Sequence, residues 1–382
     1  MGSMWNSDPR GWRLSRRGFM KGATALAGTA ALSSTLAGRR AGAQENTLTY
    51  LSWPGHADPF VVEPFEQEHG VKVVSKEYVG GEQMLALVNQ SPPGTYDVIL
   101  SDREYIVQLR DAGFIDKMDP ADYPFDDFWP EFQNLEGHWL DGDLYSVMLD
   151  FGYLGLVHNT DHLSEADCSS YGVMWEERVT GKVGHFDWYL PTMGCLSLYN
   201  GNKDPFNIDD AAFGKLRDTT FSLKPQLAGF YAMADVFSSM TNGQAWVMPG
   251  IGEWISILLH KGGLPVTTTI PDEGGIQWTE SVSIGTGSEK QDLAKKFIQY
   301  LTGPEGQWRV ATKPSYNGSI PNKKGWDALN QNDPESAELM RHKFDKRNVM
   351  DEYKDGKIQL RKTPVQQSID DWTEVWNEYK NI

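Results

Sequence analysis

The feature that most constrains the fold is an alternation near the start of the chain, in which short extended segments are separated by stretches with helical spacing. Thr47 to Trp53 alternates and is rich in Leu, Thr and Tyr. Asp58 to His69 then has helix periodicity and stops at Gly70, and a second strand pattern follows from Val71 to Glu77. After Gly80-Gly81 a helix is predicted with Met84, Leu85, Leu87 and Val88 on its apolar side. Ser91-Pro92-Pro93-Gly94 ends it before the apolar run Tyr96 to Leu100. Strands and helices in this order imply an α/β fold with a mostly parallel sheet covered on both faces. Ser101 and Asp102 fall where the third strand ends, at the carboxyl edge where open α/β sheets place their ligands.

Farther along, Glu104 to Ala112 reads as a helix, Leu144 to Leu149 as a strand, and Gly155 to His158 as another after an aromatic, glycine-containing crossing. Short strands are expected at Gly184 to Asp187 and Ala245 to Met248, and a helix at Glu289 to Leu301, stopped by Gly303-Pro304. The polar C-terminal region ends in an amphipathic helix carrying Trp372, Val375, Trp376 and Tyr379. A chain of 382 residues has room for two such α/β domains.

Ahead of this lies Ser15-Arg16-Arg17-Gly18-Phe19-Met20-Lys21, then an uncharged, small-residue stretch from Gly22 to Gly38, then Ala41-Gly42-Ala43 before Gln44. A basic segment, a weakly apolar segment and a small-x-small cleavage site make an export signal over residues 1–43. Its paired arginines resemble the twin-arginine signal, which carries folded proteins across the bacterial inner membrane. No later segment is apolar and long enough to span a bilayer, so a periplasmic location is expected for the mature chain.

The formal net charge is -17, and the segment removed with the signal holds seven basic residues against one acidic, so the mature chain is more acidic still. Such a field repels nucleic-acid backbones and anionic membranes and favours cationic ligands. Only Cys168 and Cys195 are present, which excludes a disulfide framework and a cysteine-rich zinc site; one disulfide or two free thiols remain open. GxSxG, HExxH, P-loop and dinucleotide fingerprints are absent, and the eight histidines lack the i, i+4 pairs of a metal-binding helix. An enzyme, a metal site and a cofactor are therefore not expected.

Leu48 to Trp53, Pro64 to Val73, Tyr96 to Ser101, Leu109 to Ile115, Gly155 to Asp161 and above all Pro271 to Ser281 resemble the periplasmic spermidine/putrescine-binding proteins, the solute-binding subunits of ABC importers. The resemblance covers most of residues 47–325. It implies a class II periplasmic-binding-protein fold, with domain I at 44–153 plus 278–322 and domain II at 154–277 plus 323–382. Two crossings, Asp150 to Tyr153 and Gly274 to Trp278, would form the hinge. It further implies a monomer that hands a small amine or polyamine-like ligand to an inner-membrane ABC permease.

Carried over residue by residue, the resemblance makes Trp53 an aromatic wall, Ser101 a polar contact, Asp187 an amine-binding aspartate, and Trp278 and Glu280 a Trp beside an acidic anchor, with Tyr316 near a family tyrosine. The chain also departs from the pattern. Trp53-Pro54-Gly55-His56 lacks one family carboxylate, and a second acidic position falls at Leu190. Asp102, Asp150 and Glu253 are the carboxylates placed to compensate. These departures favour a shorter or singly charged amine, an amino-acid derivative or a zwitterion over a long diamine or triamine.

Overall fold

A computed structural model describes residues 46–381, so the export signal read over residues 1–43 lies outside the described residues. The opening alternation folds as β1 (Thr47–Ser52), α1 (Pro59–His69), β2 (Lys72–Glu77), α2 (Gly81–Gln90) and β3 (Val98–Asp102). Helix α1 starts because the Asp58 carboxylate accepts the Phe60 amide at 2.8 Å, a cap worth about 1 kcal/mol. Strand β3 is buried at every position, as a strand covered on both faces must be. It begins and ends two residues later than its apolar pattern suggests, so Ser101 and Asp102 are its last two residues.

Where two strands were expected between Leu144 and His158, there is one, β4 (Val147–Asn159), 13 residues long. Its aromatic, glycine-containing stretch makes no turn because neighbours pair with it along its length: Val147 to Leu154 pair with β9 (Gly275–Ile284), and Leu154 to His158 with β7 (Val247–Gly252), with one register shift in each ladder.

With β5 (Val183–Phe186), β6 (Leu227–Tyr231), β8 (Val266–Thr269) and β10 (Ile358–Leu360), these strands form one ten-stranded sheet. Its order is β2-β1-β3-β9-β4-β7-β5-β6, with β8 on β4 and β10 on β9. The expectation of a mostly parallel sheet needs correcting. The outer strands of each half are parallel, but β9 runs antiparallel to both β3 and β4, and β4 antiparallel to β7 and β8. The cause is topological: β4 carries the chain out of the first half and β9 brings it back.

Buried apolar side chains fall into two clusters, one for each α/β domain. The first runs from Leu48 to Tyr153 and, apart from Ile257, resumes at Val282. The second begins at Leu154, the next residue along β4, and includes Ile276 and Trp278 of β9. The cores therefore meet on the paired strands β4 and β9, where Gly152 lies opposite Trp278 and Tyr153 opposite Gln277. The C-terminal region divides between the cores rather than joining the second alone. Trp326, Leu329, Met340, Met350 and Ile358 pack into the first cluster, and only the terminal helix, with Trp372, Val375, Trp376 and Tyr379, packs into the second. Cys168 and Cys195 are buried free thiols. Among the described residues, no helix is long and apolar enough to cross a membrane.

Candidate functional site

A cavity of about 60 Å³ lies where the parallel strands of both halves end. Trp53 follows β1, Asp102 ends β3 and Phe186 ends β5, while Trp254 lies just beyond β7 in the first turn of α3 (Glu253–Lys261). This is the carboxyl edge at which α/β sheets bind ligands. Trp188, Trp278 and Tyr316 complete an aromatic enclosure, and Asp102, Glu280 and Arg361 bring the charge.

The charged groups follow from strand register. On β9, Glu280 is paired with Asp102 of β3 on one side and with Asp150 of β4 on the other. Three carboxylates in one row across adjacent strands repel one another, and two resident cations offset them. Arg361, just beyond β10, donates to Asp102 Oδ1 at 2.6 Å and to Glu104 Oε1 at 2.5 Å, and its guanidinium lies 4.7 Å from the centre of the Trp188 ring. Lys313, wholly buried, donates to Asp150 Oδ2 at 2.8 Å.

Glu280 is closed in by its neighbours. Tyr316 Oη donates to the carboxylate, 2.9 Å from Oε1 and 3.1 Å from Oε2, and His56 Nε2 lies 2.8 Å from Oε2. Burial, reinforced by the Lys313 charge, lowers the His56 pKa to about 3. The ring is therefore neutral at pH 7, and its Nε2 is also hydrogen-bonded to Tyr316 Oη at 2.6 Å. Burial first, and then the Glu280 charge, raises the Asp150 pKa to about 7. Asp102 is also pushed up by burial, against the pull of Arg361. His56, Asp150 and Glu280 present ligand atoms within 4.8 Å of one another, a spacing that suits a metal ion, but the Lys313 ammonium already supplies a cation to this group.

Of the residues expected to bind ligand, Trp53, Asp102, Trp278, Glu280 and Tyr316 line the cavity. Ser101, Asp150 and Asp187 do not. Ser101 is wholly buried opposite Ser281, because alternate residues of a strand face opposite ways and Asp102 takes the cavity side. Asp150 lies fully buried on Lys313, without access to a solute. Asp187 fails by one residue: Phe186 and Trp188 on either side of it line the cavity. Its own carboxylate is held by Lys380 Nζ at 2.6 and 2.7 Å. Glu253 also lies off the cavity, accepting from the Tyr153 amide at 3.1 Å, and burial raises its pKa to about 7. Leu190, at the missing acidic position, is wholly buried.

Sequence reading missed Phe186, Trp188, Trp254 and Arg361. The rule that singled out Trp53, an aromatic residue at a strand end, would also have found Trp254. Arg361 gave no signal, because it follows a three-residue strand in a polar region.

Trp278 lies where it does because two glycines make room. A Cβ on Gly152 would be 2.7 Å from Trp278 Cε2 and 2.5 Å from Glu253 Oε1, and one on Gly318 would be 3.3 Å from Trp278 Cη2. Four polar atoms of the lining residues are buried without a hydrogen-bond partner among the described residues: Asp102 Oδ2 and the indole nitrogens of Trp53, Trp188 and Trp278. Buried polar atoms are rarely left so, and a solute with complementary groups would satisfy them.

Residues 61–339 match the family model of bacterial extracellular solute-binding proteins. The spermidine/putrescine-binding periplasmic protein of Escherichia coli (strain K12) is 26% identical over 293 residues, covering 71% of this chain and 77% of its own length. The putrescine-binding periplasmic protein SpuD of Pseudomonas aeruginosa is 23% identical over 303 residues, 74% of this chain and 80% of its own. Among solved structures, the spermidine/putrescine ABC transporter substrate-binding protein PotD of Streptococcus pneumoniae has a TM-score of 0.71 at 18% identity, covering 88% of this chain and 99% of that one. The Atu4243-GABA receptor has a TM-score of 0.67 at 19% identity, covering 88% and 98%.

Proposed function

This chain belongs to the bacterial extracellular solute-binding protein family, and on that footing we propose that it is the periplasmic substrate-binding subunit of an ABC importer, holding a small amine-bearing cation between its two domains. The polyamine-binding names of its relatives support this reading. The observation that carries it is Asp102 Oδ2, a carboxylate oxygen with no partner at the edge of an aromatic cavity. An ammonium leaving water needs a charged acceptor, and each aromatic face it meets adds about 0.5–2 kcal/mol. The role is transport rather than catalysis, with an inner-membrane permease as partner and the export signal over residues 1–43 giving the route to the periplasm.

The proposed domains are 44–153 with 278–322, and 154–277 with the terminal helix, residues 323–358 going with the first because their apolar side chains pack there. Closure would turn about Asp150 to Tyr153 and Gly274 to Trp278, the two strands that join the cores.

A solute carrying acceptors as well as an ammonium, such as an amino-acid-like zwitterion, is the second reading. It is favoured by the three unpartnered indole N–H groups. Calorimetric titration with n-butylamine, 4-aminobutanoate and butane-1-ol, which share a four-carbon chain, tests both. The proposed function expects one of the first two to bind and the alcohol not to. Binding of the alcohol alone would contradict it.

A further inference from the structure

We propose that Arg361 is a built-in cation that sets the specificity of the site, so that the cavity accepts a solute with one ammonium group and rejects linear diamines and triamines. The inference rests on the amine reading above and narrows it.

Two carboxylates line the cavity, Asp102 and Glu280. Asp102 Oδ1 is taken by Arg361 at 2.6 Å. Both Glu280 oxygens lie within hydrogen-bonding distance of Tyr316 Oη, and Oε2 is 2.8 Å from His56 Nε2 as well. Among the four oxygens of these two lining carboxylates, Asp102 Oδ2 alone is left without a partner; Glu104 Oε2, also unpartnered, belongs to a carboxylate that is bonded to Arg361 and does not line the cavity. One bare carboxylate oxygen in a cavity of about 60 Å³ suits one ammonium.

A second ammonium would meet positive charge instead of an acceptor. Arg361 bridges Asp102 and Glu104, and it is fixed there from several directions. Its amide donates to Gln277 O at 2.9 Å, its carbonyl accepts from Arg103 Nη2 at 3.1 Å, and its guanidinium stacks over Trp188. Its side chain is only 5% exposed. The Arg103 guanidinium, also buried, adds a further positive charge on the same side. An ion brought into this volume without an acceptor loses its hydration and gains nothing in return.

The test is calorimetric titration of the whole mature protein with n-butylamine and butane-1,4-diamine, which have the same carbon chain and differ by one ammonium. Wild type is expected to bind n-butylamine more tightly by at least about tenfold, the discrimination typical of a buried polar group left unpaired. Arg361→Gln, checked for folding by its thermal transition, is expected to shift the ratio towards the diamine by about tenfold or more, because Asp102 and Glu104 are then open to the second ammonium. Arg361→Lys keeps the charge and should keep the wild-type preference. Should the glutamine variant not fold, the wild-type ratio still decides. Equal or tighter binding of the diamine by wild type overturns the inference and leaves the amine reading standing. Binding of neither probe overturns the inference, and the amine reading falls with it unless 4-aminobutanoate binds.

Discussion

Asp102 and Glu280 stand directly opposite each other across β3 and β9, yet only Asp102 keeps an oxygen free of hydrogen bonds. Glu280 is the better match to the polyamine-binding pattern, but Tyr316 and His56 have already claimed its carboxylate. In the proposed site its part is structural, holding the wall of the cavity to the sheet beneath. Glu280→Gln is therefore expected to cost about 1–3 kcal/mol of stability, the penalty for disturbing a buried polar network. Its loss of affinity for an amine should be smaller than that of Asp102→Asn. Chemical denaturation and calorimetry on both variants make the comparison.

Trp188 should matter more to binding than the Asp187 carboxylate beside it. Trp188→Ala removes a lining ring and the platform beneath Arg361, so amine affinity should fall by about tenfold. Asp187→Asn, one residue away, removes the charge that holds Lys380, a pair whose side chains are 31% and 34% exposed, and keeps an acceptor for the Trp376 indole N–H. It should leave affinity unchanged and cost at most about 1 kcal/mol of stability. Titration of the two variants side by side checks the assignment.

Gly152 makes room for Trp278 through a close approach between strands. Gly152→Ala puts a methyl group into the indole ring and should displace it, lowering affinity and costing about 1–3 kcal/mol of stability. Quenching of Trp278 fluorescence by a water-soluble quencher, assigned with a Trp278→Phe control, should increase in the alanine variant if the ring has moved.

Glu253 sets a pH dependence whose sign follows from burial. Burial pushes its folded pKa up to about 7, from about 4.5 in the unfolded chain. The folded state therefore binds this proton more tightly than the unfolded chain does. The stability it brings is fully present below about pH 4.5 and is lost as the pH rises through about 7. Glu253→Gln keeps an acceptor for the Tyr153 amide and has no proton to lose. It should flatten the decline between those values and be more stable than wild type at pH 8, by on the order of 1–3 kcal/mol. Melting curves from pH 4 to pH 8 give the comparison.

How far the sequence led depended on whether a signal was local. The strand-helix alternation from Thr47 to Asp102 was legible because each element satisfies its own period, cap and stop. The union of two strands into β4 was not, since an aromatic, glycine-containing run reads as a crossing until the strands pairing with both its edges are known. At the site, Trp53, Asp102, Trp278, Glu280 and Tyr316 were reached through strand ends and family resemblance. Asp187 was carried over from the family resemblance, whereas the phase of the strand end, with Phe186 and Trp188 lining the cavity, shows only in the fold. Arg361 lay beyond reach: it meets Asp102 across 259 residues of chain, and such a contact exists only once β10 has paired with β9.

The most direct test of the account is titration of Asp102→Asn with n-butylamine. The asparagine keeps an acceptor for Arg361 and replaces the free carboxylate oxygen with an amide that repels an ammonium. Truncating one partner of a desolvated charged hydrogen bond costs about 2–5 kcal/mol, so affinity should fall by roughly 30-fold to a few thousand-fold. A dissociation constant equal to that of wild type, in a variant with an unaltered thermal transition, would contradict the claim that Asp102 holds the solute's cation.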